Sequence, residues 1–313
     1  MGMEKGEINL PRSLTYLLVF VAVCFWATSG IAGNLLMNLG LEPLTVAWFR
    51  AFICFFLPFV YLFIRSKQLL QVARRDLIFF MLYGLVGIAM LYFCFFSCIN
   101  LAGVTIATTL LYTSPIFVTV FSIFVFKEKI NFIKLCCLLA AIGGCFLVVR
   151  GYELSLLKVN LPGILMGFGS GFFYALYTVL GKIVVKRYHP LTVVLYSTGF
   201  GSLFITFFNP SFPILPLTSP LTWIYLIYLG LVPSLLAYFL YIKALENCEA
   251  IHASVITVLE PAIAGIFSYF LFQERLEALQ LFGMFLMLLA VALLINRQQK
   301  AEGLNRKGET AQC

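Results

Sequence analysis

The sequence predicts an all-α integral membrane protein of ten transmembrane helices, arranged as two inverted five-helix repeats. Three observations carry that prediction: a composition too apolar for a water-soluble fold, a succession of bilayer-length apolar runs, and an internal repeat offset by 146 residues. Of 313 residues, 62% are hydrophobic and 11% charged, with mean hydropathy +1.01. Soluble domains carry roughly 25% charged residues, so no soluble core could hide this much apolar surface.

Apolar runs of roughly 18–25 residues, each able to cross about 30 Å of hydrocarbon, place helices near 14–37, 44–64, 77–99, 104–126, 132–149, 162–185, 191–208, 221–245, 250–272 and 277–295. Turn residues and charges punctuate them at Glu42-Pro43, Arg65 to Asp76, Lys127-Glu128-Lys129, Gly151 to Pro162, His189-Pro190 and the proline-rich Asn209 to Pro220. Residues 1–13, with Glu4 and Glu7 and no small-residue cleavage site, read as a cytoplasmic segment rather than a signal peptide. The first repeat is expected over 14–149, a connecting loop over 150–161, the second repeat over 162–295, and a disordered polar tail over 296–313.

The repeat is clearest in the fourth and ninth helices. Ala107, Pro115, Phe121, Ser122, Phe124, Phe126 and Glu128 recur as Ala253, Pro261, Phe267, Ser268, Phe270, Phe272 and Glu274. Gly84-Leu85-Val86 and Tyr92-Phe93 return as Gly230-Leu231-Val232 and Tyr238-Phe239, and Pro43-Leu44-Thr45-Val46 as Pro190-Leu191-Thr192-Val193. With five helices per copy, the second copy must enter the membrane from the opposite side, so the repeats are inverted. That architecture favours transport by alternating access over a passive channel.

Seventeen of the 21 lysines and arginines fall on one side of this arrangement, and only Arg150, Lys158 and Arg275 on the other. Lysine and arginine are retained on the cytoplasmic side, so both termini are expected there. The net charge of +8 is therefore a signature of membrane orientation rather than of nucleic-acid binding. The nine cysteines show no metal-ligand spacing, and Cys24, Cys54, Cys94 and Cys98 lie inside apolar runs. His189 and His252 stand at helix ends, away from Ser or Cys nucleophiles, so neither an enzyme, a metal site nor a cofactor is expected.

A few polar groups within the spans are candidates for the site. Glu260, beside Pro261, lies about ten residues from either end of its helix, hence about 15 Å deep. An ionised carboxylate there costs at least about 2.5–3.5 kcal/mol, so it should face the bundle interior or water. It reads as a proton-coupling or amine-binding group, or as a lock that satisfies donors at the proline break. Ser254, Thr257 and Glu260 share one helix face, and Thr108, Tyr112 and Pro115 the corresponding face of the fourth helix. Such stripes line cavities or bond neighbouring helices. Arg50, about 10 Å into its helix, could balance Glu260, bind a substrate carboxylate, or snorkel to the interface. Trp26, Asn34, Tyr92, Tyr174, Tyr177 and Tyr238 are further cavity candidates, with packing as the alternative. Gly163, Gly167 and Gly171 suit close helix packing. Glu128 and Glu274, just ahead of the fifth and tenth helices, read as partners of those helix dipoles.

Ten helices in two halves of five, Trp26, Arg50, and the paired signatures running from Pro115 to Glu128 and from Glu260-Pro261 to Glu274 resemble the EamA-type carriers of the drug/metabolite transporter superfamily. The resemblance covers about Leu14 to Ile295. It implies an inner-membrane carrier, often an exporter of amino acids, other metabolites or toxic compounds, with a cavity lined by both halves. Carriers of phosphorylated sugars in that superfamily tend to line the site with lysine and arginine, whereas Arg50 is the single cation placed within a span. The expectation is thus a secondary transporter exporting a small amphipathic metabolite such as an amino acid, with protons as a possible coupling ion. Efflux of lipophilic cations is one alternative, and a non-transporting membrane sensor or assembly subunit another. Monomer and homodimer both stay open.

Overall fold

The computed structural model describes residues 10–153, 160–208, 219–273 and 276–310. Its apolar helices are α1 (Arg12–Asn38), α2 (Pro43–Arg65), α3 (Arg74–Ala102), α4 (Val104–Phe126), α5 (Phe132–Val148), α6 (Leu161–Val185), α7 (Pro190–Phe208), α8 (Pro220–Leu245), α9 (Ala250–Leu271) and α10 (Ala278–Arg297). Each falls within a few residues of the apolar run that predicts it. Five belong to each half, and the odd number makes the halves inverted. Large apolar side chains stay exposed around the bundle, with Phe124 and Phe132 each 79% exposed, as only a lipid-facing surface tolerates.

One element departs from expectation. The α10 helix continues to Thr310, into the 296–313 tail that the sequence reads as disordered, of which residues 311–313 lie outside the described residues. That stretch is rich in Gln, Lys, Ala, Glu and Arg and holds no proline, so nothing local stops the helix at the membrane edge.

The repeat is also visible in the irregularities. α4 consists of Val104–Leu111 and Ser114–Phe126, and α9 of Ala250–Thr257 and Glu260–Phe272. In both, the proline (Pro115, Pro261) stands in the first turn of the second piece, where a missing N–H costs nothing. Both end on a left-handed residue, Lys127 and Gln273, each with φ 56°. α3 and α8 each contain a π-helical turn, Leu85–Ala89 and Leu231–Leu236.

Close backbone approaches hold the halves together. Gly144 of α5 and Gly283 of α10 meet so tightly that a Cβ on either would come within 2.6 Å of the other's carbonyl oxygen. Gly163, Gly167 and Gly171 form the packing face of α6. A Cβ at Gly167 would lie 2.3 Å from Leu110, and one at Gly171 would lie 2.8 Å from the Leu110 carbonyl. α2 meets α7 across the halves, where the Trp48 indole donates to Thr206 Oγ1 at 2.9 Å.

Candidate functional site at the centre of the bundle

Pro233 begins the local logic of the site. Lacking an N–H, it leaves the Leu229 carbonyl without its partner four residues on. The Ser234 hydroxyl fills that place, donating to Leu229 O at 2.7 Å. Its oxygen is then free to accept from Arg50 Nε at 2.7 Å, while Arg50 Nη2 donates to Pro233 O at 3.0 Å. Arg50 therefore does not reach for the interface. It is fastened from α2 of the first half onto the π-helical turn of the second.

Aromatic rings from both halves surround that guanidinium. It stands 5.8 Å from the ring centroids of both Tyr92 and Tyr238, whose hydroxyls share a hydrogen bond of 2.6 Å across 146 residues. Trp26 meets Tyr238 edge-on at 5.7 Å, Tyr174 at 6.4 Å, and Tyr241, tilted, at 5.2 Å. Tyr177 packs at 5.3 Å from Tyr238 and stacks on Tyr174 and Tyr241. Tyr241 is tied in turn to Thr178 by a 2.9 Å hydroxyl contact. Among the described residues, the buried Trp26 indole nitrogen finds no acceptor.

Glu260 heads the second piece of α9, where the free N–H groups of a helix start favour a carboxylate. The Tyr112 hydroxyl of α4 faces it, and Arg50 lies close enough for the two charges to act on each other. The site thus combines one cation from the first half, one anion from the second, and a wall of tyrosines from both.

The sequence candidates distribute unevenly over this geometry. Trp26, Arg50, Tyr92, Tyr112, Tyr174, Tyr238 and Glu260 come together, and Thr257 stands beside Tyr174 with its hydroxyl donated to the Ser254 carbonyl at 2.7 Å. Three others have no polar contact with the cluster. The Thr108 hydroxyl donates to its own Val104 carbonyl at 2.8 Å, that of Ser254 to Ile251 at 2.9 Å, and Asn34 is exposed. Small hydroxyls on helices readily bond the preceding turn, which is why helical spacing alone overstates such stripes. Pro233, Ser234 and Tyr241 escaped sequence reasoning. Their signal is a Pro-Ser pair directly after the repeated Gly230-Leu231-Val232, with a tyrosine three residues past Tyr238.

The lysine-rich end of the bundle is closed by contacts between halves. Glu128, from the end of α4, accepts Lys182 Nζ of α6 at 2.5 Å and the α9 amides of Ala250 at 3.0 Å and Ile251 at 3.3 Å. The dipole it serves is therefore that of α9, not of α5 as its position in the chain suggests. α5 is capped instead by Asn131, which accepts from the Lys134 amide. Glu274 lies outside the described residues. Lys134 of α5 bonds Glu249, ahead of α9, at 2.5 Å, and Tyr188 donates to Asp76 of α3 at 2.6 Å. Each residue of Ala250–Thr257 is buried, whereas Ala262 is the one buried residue described in Glu260–Phe272. The opposite end joins α5 and α10 through Arg150 and Tyr152, both bonded to Glu277.

Known proteins are similar to this chain in sequence and in fold. An uncharacterized transporter of Archaeoglobus fulgidus is 28% identical over 261 residues, covering 81% of this chain and 87% of its own. The uncharacterized transporter YwfM of Bacillus subtilis is 24% identical over 88% of this chain and 91% of its own. The uncharacterized inner membrane transporter YicL of Salmonella typhimurium is 21% identical over 86% and 87%. A crystal structure superimposes with a TM-score of 0.78 at 17% identity, covering 93% of this chain and 100% of its own, a likeness of fold alone. The profile of the EamA-like transporter family matches twice, over residues 13–150 and 161–296, the two halves read from the repeat. This multi-pass membrane protein belongs to the EamA-like transporter family.

Proposed function

We propose that the chain is a secondary transporter of the inner membrane that exports a small amphipathic metabolite, with amino acids the leading class, by alternating access through a site between the two repeats. The observation that carries this reading is the convergence of Arg50 from one half, held against the Tyr92–Tyr238 pair, and Glu260 from the other, within electrostatic reach of each other beside the Trp26 and tyrosine wall. A zwitterion offers a carboxylate to the guanidinium, an ammonium to the carboxylate, and an apolar body to the rings. The partly satisfied guanidinium keeps donors beyond the two it spends on α8. The buried indole N–H of Trp26 would serve a substrate acceptor. Proton coupling through Glu260 belongs to the same reading.

A second reading, efflux of lipophilic cations, draws on the same rings and on Glu260 but has no use for Arg50. Purified protein in liposomes, offered labelled amino acids, lipophilic cations and sugars, separates them. The zwitterion reading expects amino-acid flux that Arg50→Gln lowers by roughly tenfold or more, the loss of one charge-assisted contact. Cation flux indifferent to that substitution would establish the second reading instead. A chain that moves nothing across the panel would point to a sensor or assembly subunit.

A further inference from the structure

Glu128 is placed by its own backbone. Lys127 adopts the left-handed conformation that ends α4, and the Glu128 amide bonds back to Ser122 O at 3.2 Å, which turns the side chain across the bundle. There the carboxylate is 6% exposed and the Lys182 side chain 10% exposed, with the ammonium 4.7 Å above the Phe126 ring. All three of its donors, Lys182 and the amides of Ala250 and Ile251, belong to the second half, while Glu128 belongs to the first.

We propose that the Glu128 carboxylate is the latch that holds the lysine-rich end of the transporter shut, and that its release from Lys182 and the start of α9 opens the site to that side. The inference rests on the alternating-access reading and names the contact that must break in it. Buried ion pairs suit a reversible latch. Intact, they add little net stability, because both charges regain hydration when they part; stripped of one partner, they leave a buried charge that favours separation. The first piece of α9, which Glu128 caps, is buried along its whole length, so parting the latch has a sealed element to open.

Cys248 reports on the latch. It lies in the α8–α9 connection, is 8% exposed, and senses both Lys182 and Glu128. Burial pushes its thiol up to about 12, Lys182 pulls it down, and Glu128 pushes it up. Removing Lys182 has opposite effects by the two routes. Electrostatics alone makes the thiol less acidic and slows alkylation, whereas opening exposes it and speeds alkylation. The experiment follows N-ethylmaleimide labelling of Cys248 by peptide mass spectrometry in the full chain in lipid nanodiscs, with the buried α3 thiol Cys98 as a marker of intact fold.

The latch expects Lys182→Met, and the milder Glu128→Gln, to label Cys248 roughly fivefold faster or more while Cys98 stays protected. Unchanged or slower labelling in Lys182→Met would overturn it. So would simultaneous labelling of Cys98 in both variants, which marks unfolding rather than opening. No substrate is needed, so the two readings fail separately. Liposome flux with Cys248 labelling unmoved sinks the latch alone, and a labelling response in a chain that carries nothing sinks the transport reading alone.

Discussion

Glu260 joins three kinds of support in one carboxylate: a helix start, the Tyr112 hydroxyl, and the nearby charge of Arg50. Glu260→Gln keeps the shape and most of the hydrogen bonding but cannot titrate. If the group carries protons, this variant inserts normally and exchanges substrate in liposomes but no longer accumulates it along a pH gradient; full accumulation would end the coupling idea. Glu260→Leu takes the carboxylate away from the Tyr112 hydroxyl and from the start of the helix, so its thermal stability should fall by about 1–3 kcal/mol, whereas the Gln variant stays close to wild type. Arg50 and Glu260 were legible in the sequence because a charge within an apolar run needs an explanation. How Arg50 is held was not, since it depends on Pro233, 183 residues away, freeing the Leu229 carbonyl and on Ser234 answering it. Glu128 shows the opposite limit. It stands four residues ahead of one helix in the chain and touches the start of another in space, and sequence proximity selected the wrong one.

Helix boundaries and breaks at Pro115 and Pro261 follow from residues that cannot continue a helix. The π-helical turns do not: both open on the repeated Leu-Val, yet the one in α3 contains no proline to break its ladder. Contact between elements is set by glycines, and neighbouring glycines of α5 differ sharply. A Cβ at Gly144 meets the Gly283 carbonyl at 2.6 Å, while one at Gly143 meets nothing within 4 Å. Backbone cannot rotate aside as a side chain can, so Gly144→Ala should destabilise by about 1–3 kcal/mol. Gly143→Ala should be neutral or stabilise by about 0.5–1 kcal/mol, through helix propensity alone. Thermal unfolding in detergent ranks the two, and equal midpoints would mean that α5 and α10 do not rely on that approach. The helical stretch of α10 beyond Arg297 lay outside what hydropathy reads, because its polar residues say where the membrane ends and not where the helix does.

At the scale of the whole molecule, the fold was legible because duplication, span length and charge asymmetry agree. Orientation still rests on charge alone. Reporter fusions after residues 40, 101, 155, 215 and 275 should all lie outside the cytoplasm, with both termini inside. A cytoplasmic signal at 155 would contradict the assignment, since the two halves meet there. The hydroxyl contact between Tyr92 and Tyr238 has its own bearing on how such a molecule could move. These tyrosines are each other's counterparts, separated by the 146 residues of the duplication. When two duplicated halves trade shapes, most contacts in one state become different contacts in the other, but a bond between counterparts is carried onto itself. It is a fixed point of the exchange. The oxygens need not part, and all that changes is which tyrosine gives the proton and which receives it.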